Sequence, residues 1–112
     1  MVQGMHLTRI GADAVLLEPG EGLDPGEPDR YLVALGDYLQ AARARRLIYD
    51  LDSVPVVDAL YYDWLKAVHG LCRVIGVEMV VANMAPSVAY ALAARLDEVP
   101  PFACARDVER AR

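Results

Sequence analysis

From residue 46 onward the chain changes hydrophobic period again and again, and that alternation limits the architectures open to it. "RLIYDLD" (46–52) and "VEMVVA" (77–82) are short, nearly continuous apolar runs of the kind that form buried strands, and "PFACA" (101–105) is read as a last short strand. Between the first two, Leu60, Trp64, Val68, Leu71 and Ile75 recur at spacings of three and four, with Asp63, Lys66, Gly70 and Arg73 opposite and Gly76 as a stop. The spacing predicts an amphipathic helix there. A further helix is predicted from Pro86, burying Val88, Ala89, Leu92 and Leu96. Upstream, Tyr31, Leu35, Tyr38 and Ala42, flanked by Leu32 and Leu39, predict a helix over 29–44. Residues 5–10 and 13–18, parted by Gly11, predict two adjoining strands and a tight turn. The order is β-β-α-β-α-β-α-β, with "RDVERAR" as a final helical turn or a frayed tail. Strands that alternate with helices imply right-handed crossovers, hence an α/β fold: an N-terminal hairpin, then a mostly parallel mixed sheet with helices packed on it.

Length and charge narrow the possibilities. The 112 residues, 55% hydrophobic, suit one domain over 1–112. No run is long and apolar enough to span a bilayer and "MVQGMHLTRIG" lacks a signal-peptide pattern, so a cytoplasmic protein without direct membrane insertion is expected. A net charge of −5 argues against nucleic acid as a partner. The one dense basic stretch, "RARR" at 43–46, is read as capping a helix C-terminus. Cys72 and Cys104 belong to no C-x-x-C pair and are read as buried free thiols. "EPGEGLDPGEPD" (18–29) lacks the ligand spacing of a calcium loop and reads as a solvated acidic loop.

Residues suited to catalysis are scarce. His6 and His69 have no metal-ligand context, and there is no nucleophile elbow, phosphate-binding loop or dinucleotide fingerprint, so a non-enzymatic protein without cofactors is expected. Asp50, Asp52 and Asp58 flank the carboxyl end of the central strand, where open α/β sheets gather functional groups, but their spacing matches no metal site. Asp58 fits a helix N-cap accepting from the backbone of residue 60 or 61; whether it caps only, or also marks a recognition surface, the residues leave open. A helix start with free amides would suit a phosphate on a hydroxyl at position 59 or 60. Those positions hold Ala59 and Leu60.

"IYDLDSVPVVDA" resembles the strand, loop and helix start of STAS domains, the sulfate-transporter and anti-sigma-factor-antagonist family, in which a D-x-[ST]-x-V-P strand end leads to Asp-Ser or Asp-Thr. "RVIGVEMVVANMAPSVAYAL" (73–92) is similar to the next helix end, strand and helix of the stressosome type. The resemblance is best from Leu47 to Leu96. It implies a regulatory protein-interaction module of the anti-sigma-antagonist or stressosome-scaffold type. The implied partners are other STAS-domain proteins and a switch kinase or anti-sigma factor, in homo- or hetero-oligomers. Asp58 carries over as the motif aspartate, Ala59 takes the place of the phosphorylated residue of the stressosome type, and Leu60 that of the simple antagonists. Neither can receive phosphate, so partner binding through this helix start should be constitutive. Outside tyrosine the hydroxyls are Thr8, Ser53 and Ser87, with Ser87 the better remaining acceptor candidate. Tyr62, placed near the polar side with Asp63 and Lys66, is expected to be an exposed contact residue. Two alternatives are a STAS accessory subunit of a membrane transporter and a small-molecule sensor using the Asp50, Asp52 and Asp58 edge.

Overall fold

Gly11, at φ 64°, makes the turn that joins β1 (Met5–Ile10) to β2 (Ala14–Pro19), an antiparallel pair with Met5 opposite Pro19 and Ile10 opposite Ala14. Any residue with a Cβ is strained at that φ, so glycine suits the position. In the computed structural model, which describes residues 2–95 and 100–112, β3 (Arg46–Asp50), β4 (Glu78–Ala82) and β5 (Ala103–Ala105) add to this hairpin in parallel, giving the sheet order β1-β2-β3-β4-β5. Each parallel step needs a crossover. The crossovers are α1 (Leu32–Ala41), α2 (Ala59–Ile75) and α3 (Pro86–Arg95).

Because every step adds a strand on the same side, crossovers of one hand place all three helices on one face. Leu35, Leu39, Trp64, Leu65, Val68 and Leu92 share a core there with Leu17, Leu47, Tyr49, Met79 and Val81 of the strands. The two-residue period sends Ala14, Ile48, Val80 and Ala82 to the other face, where the short α4 (Val108–Ala111) covers them with Val108 and Ala111. The central strands are therefore covered on both sides, as their uninterrupted apolar runs predict.

Several expectations are corrected. The first helix is shorter than 29–44: Pro28–Arg30 forms a 3₁₀ turn, and α1 ends at Ala41 because Arg43 adopts a left-handed φ of 53°. The "RARR" stretch closes α1 through its backbone and not through its charge: the Arg43 and Ala44 amides donate to the Gln40 and Leu39 carbonyls at 3.1 and 3.0 Å, while the last turn itself holds no basic residue. The Arg45 and Arg46 amides then donate to the Asp13 carbonyl at 2.7 and 3.3 Å and open β3, while the Arg46 guanidinium donates to the Ala111 carbonyl at 2.8 Å and pairs with Glu78 at 2.6 Å. The buried face of α2 is Tyr62, Trp64, Leu65, Val68 and Cys72, and Leu60 is 51% exposed. Its first turn stands at the sheet edge, where the strands end. In α3, Val88 and Leu92 are buried but Ala89 is exposed; Leu96 lies outside the described residues. Cys72 is buried, whereas Cys104, on the short edge strand β5, is exposed.

Candidate recognition surface at the carboxyl edge of the sheet

β2, β3 and β4 run parallel, so their carboxyl ends, the loops after them and the starts of α2 and α3 gather at one edge. The sharpest feature of that edge is the start of α2. Asp58 has an extended backbone (φ −88°, ψ −177°), and its Oδ1 accepts from the Tyr61 amide at 2.8 Å while its carbonyl accepts from Tyr62 at 2.9 Å. It is an N-cap, bonded to one of the two amides expected. Val57 turns into the core at 7% exposure and holds the entry, leaving Val56, Ala59 and Leu60 facing solvent. At the far end Gly76 (φ 77°) returns its amide to the Cys72 carbonyl, the left-handed stop its sequence position predicts.

Asp50 is engaged differently. Its Oδ1 accepts from the Asp52 amide and from Asn83 Nδ2, both at 2.9 Å, so it ties the end of β3 to the end of β4. Asp58 serves its own helix. Among the described residues no three His, Cys, Asp or Glu side chains converge on a common ion position. The Asp50, Asp52 and Asp58 carboxylates share an edge, with Asp50 tied to β4 and Asp58 to its own helix.

Beneath α2 lies a chain of polar contacts inside the core. Trp64 Nε1 donates to Tyr49 Oη at 2.8 Å, and Tyr49 Oη shares a 2.7 Å hydrogen bond with Tyr61 Oη. Burial pushes the Tyr49 phenol well above the ordinary tyrosine value, with the neighbouring Tyr61 adding to the rise, and burial also raises Tyr61. Both remain neutral hydrogen-bonding groups. The Tyr31 ring meets Trp64 edge-on, with centroids 5.6 Å apart at 72°. Its hydroxyl accepts from the Asp24 amide at 2.8 Å and reaches the Gly22 carbonyl at 3.3 Å. The acidic loop is thereby anchored beside the α2 start. Between it and the turn at 51–54 runs a groove of ≈ 320 Å³, lined by Gly20, Glu21, Leu23, Ser53, Val54 and Tyr61 among others.

The remaining sequence-selected residues fall as follows. Ser53 is exposed in the turn closed by the Val54 amide on the Leu51 carbonyl, on the groove wall. Ser87 is exposed in the first turn of α3, at the same edge. Asp63 is exposed and Lys66 partly so, and they pair at 3.5 Å, a surface contact of small energetic weight. Tyr62 corrects the expectation: it is 2% exposed, its ring packs 6.0 Å from Phe102, and Lys66 Nζ lies 5.1 Å over it. A helix laid on a sheet buries a face wider than the single stripe drawn from Leu60 and Trp64, and position 62 falls within it. Sequence reasoning did not find the Tyr31, Tyr49, Tyr61 and Trp64 contacts. The aromatic residues were visible, but which hydroxyls meet depends on the packing of α2 over β3.

No family model and no curated protein matches the chain. Solved structures do. A serine-to-glutamate variant of RsbS from Moorella thermoacetica superposes with a TM-score of 0.74 at 19% identity, covering 96% of this chain and 90% of that one. A structure of the stressosome, described as a signal integration and transduction hub, gives 0.79 at 18% identity over 95% and 91%. The anti-sigma factor antagonist SpoIIAA in its unphosphorylated form gives 0.64 at 8% identity over 94% and 90%. These are STAS-domain proteins. At such identities the likeness is one of fold: the chain has the five-stranded mixed sheet and helix arrangement of the STAS fold.

Proposed function

We propose that this chain is a non-enzymatic, cytoplasmic protein-interaction module, of the anti-sigma-antagonist or stressosome-scaffold type, that binds its partner constitutively through the start of α2. The observation behind this reading is an intact N-cap followed by no hydroxyl: Asp58 caps the helix, and the exposed positions beside it are Ala59 and the half-exposed Leu60. One neighbour is described as unphosphorylated and another carries glutamate for serine, so phosphate chemistry is a theme of structures with this fold. A methyl group cannot take up the charge and acceptor oxygens through which a phosphate would repel or recruit a partner. Leu60 and Val56 instead give the edge a fixed apolar contact. Among the described residues no helix is long and apolar enough to cross a membrane, and the reading requires none.

The experiment is incubation with labelled ATP and a switch kinase that phosphorylates STAS proteins. Wild type stays unlabelled and Ala59→Ser takes up phosphate at residue 59. Stoichiometric phosphate on wild-type Ser53 or Ser87 would overturn the constitutive model.

A further inference from the structure

The charges of this molecule are sorted between the two ends of its sheet. At the carboxyl edge, residues 18–29 supply five carboxylates and residues 50–63 supply four, against three cations, Arg30, Lys66 and Arg106, the last just after the end of β5. Two of these cations are already matched by these segments: Arg30 pairs with Glu27 and Lys66 with Asp63. Among the described residues the other carboxylates of these two segments have no ion pair. The amino edge, formed by the turn after β1 and the segments that open β3 and β4, shows the reverse. Arg9, Arg43, Arg45, Arg46, Arg73 and Arg112 gather there against Asp13, Glu78 and Glu109, and of these arginines Arg46 and Arg112 are in ion pairs among the described residues. Each edge also exposes apolar side chains among its charges. Val56 is 69% exposed and Leu60 51% at the acidic edge, and Val74, next to Arg73, is 85% exposed at the basic one. A hollow of ≈ 400 Å³ opens at this end between His69, Arg73, Val77 and Pro101.

We infer that the acidic edge of one copy of this chain docks on the basic edge of the next. This deepens the reading above and rests on it, in that the α2 start is taken as an interaction surface and the occupant is now a second copy. Sign complementarity on two opposite surfaces, each with an exposed apolar side chain among its charges, is what a specific interface uses. The two surfaces differ, so the contact is head-to-tail. It repeats along a row of copies or closes into a ring, rather than stopping at a two-fold dimer. Attraction between exposed charges is screened over about 10 Å at 0.1 M salt and about 3 Å at 1 M, so the association weakens as salt rises.

Sedimentation velocity of the purified chain, with two charge-reversed variants, tests this. Glu21→Lys/Asp52→Lys inverts exposed positions of the acidic edge and leaves the Asp58 cap in place; Arg45→Glu/Arg73→Glu inverts the basic edge. Wild type at about 100 μM should associate in a concentration-dependent way at about 20 mM salt, with the association constant falling at least about tenfold by about 500 mM. Each variant alone should stay monomeric while keeping the wild-type circular dichroism, and an equimolar mixture should associate again, because both junctions then pair opposite charges. A monomeric wild type at low salt, association indifferent to salt, or a mixture that stays monomeric overturns the inference. Phosphate incorporation by Ala59→Ser is read at protein concentrations too dilute for self-association, so failure here is distinguishable from failure of the constitutive reading.

Discussion

The hydrogen-bonded chain Trp64–Tyr49–Tyr61 makes a quantitative demand on stability. Trp64 and Tyr49 are 1% and 0% exposed, so the indole N–H has one acceptor within reach, Tyr49 Oη, and no water to replace it. Tyr49→Phe removes that acceptor and orphans a buried donor, which costs about 1–3 kcal/mol, and it also breaks the bond to Tyr61, about 1 kcal/mol more. Tyr61→Phe breaks only the second bond and leaves Trp64 satisfied, so it should cost about 1 kcal/mol. With an unfolding entropy of about 2.1 cal/mol/K per residue over 112 residues, 1 kcal/mol corresponds to about 4 °C in Tm. Tyr49→Phe should therefore lower Tm by about 8–16 °C and Tyr61→Phe by about 4 °C. Once Tyr49 is phenylalanine the Tyr61 hydroxyl has lost its partner in this chain, so the double variant should be hardly less stable than Tyr49→Phe, a coupling of about 1 kcal/mol. Urea and thermal melts followed by the fluorescence of the single tryptophan give all three values. If Tyr61→Phe costs as much as Tyr49→Phe, or the two effects add within about 0.3 kcal/mol, the chain of contacts is not what holds α2 to the sheet.

Two further outcomes are expected. Asp58→Ala leaves the Tyr61 amide without its cap and should lower stability by about 1 kcal/mol, seen as a lower urea midpoint at unchanged m-value; no shift would mean the cap is replaced by solvent at no cost. A thiol reagent should modify one cysteine in the native protein, the exposed Cys104. Cys72 is buried, its thiol is pushed up to about 12 by burial, and it should react only on unfolding; two thiols titrating natively would contradict the packing of α2.

What the sequence made legible follows from the range of the forces involved. Element order, the N-terminal hairpin, the parallel central strands, the Asp58 cap and the Gly76 stop are written in local spacing and backbone preference, and each is found. The errors sit where a residue's fate depends on a distant neighbour. Tyr62 looked polar-facing on a helical wheel, yet Phe102, forty residues on, packs against it. Leu60 looked like core, yet its turn stands at the sheet edge. Arg46 looked like part of a helix cap, but its guanidinium reaches Ala111 across the fold. The sorting of charge between the edges was equally hidden, because a list of charges becomes two surfaces only once the strands are known to be parallel and in order.

The start of α2 separates two jobs that one short motif could have fused. Capping requires an acceptor at position 58, and the Asp58 carboxylate supplies it whatever follows. Position 59 is exposed and lies in the first turn, where the side chain packs against nothing that the core needs. Exchanging Ala59 for serine therefore costs only the difference in helix propensity, about 0.5 kcal/mol at most, and an N-terminal position reduces even that. The fold is thus indifferent to whether a hydroxyl stands there. Stability cannot account for the alanine, and the consequence of its presence must be sought in what touches the edge: a surface whose charge at the α2 start is fixed by Asp58 and Asp63 and cannot be stepped up by phosphate at residues 59 or 60.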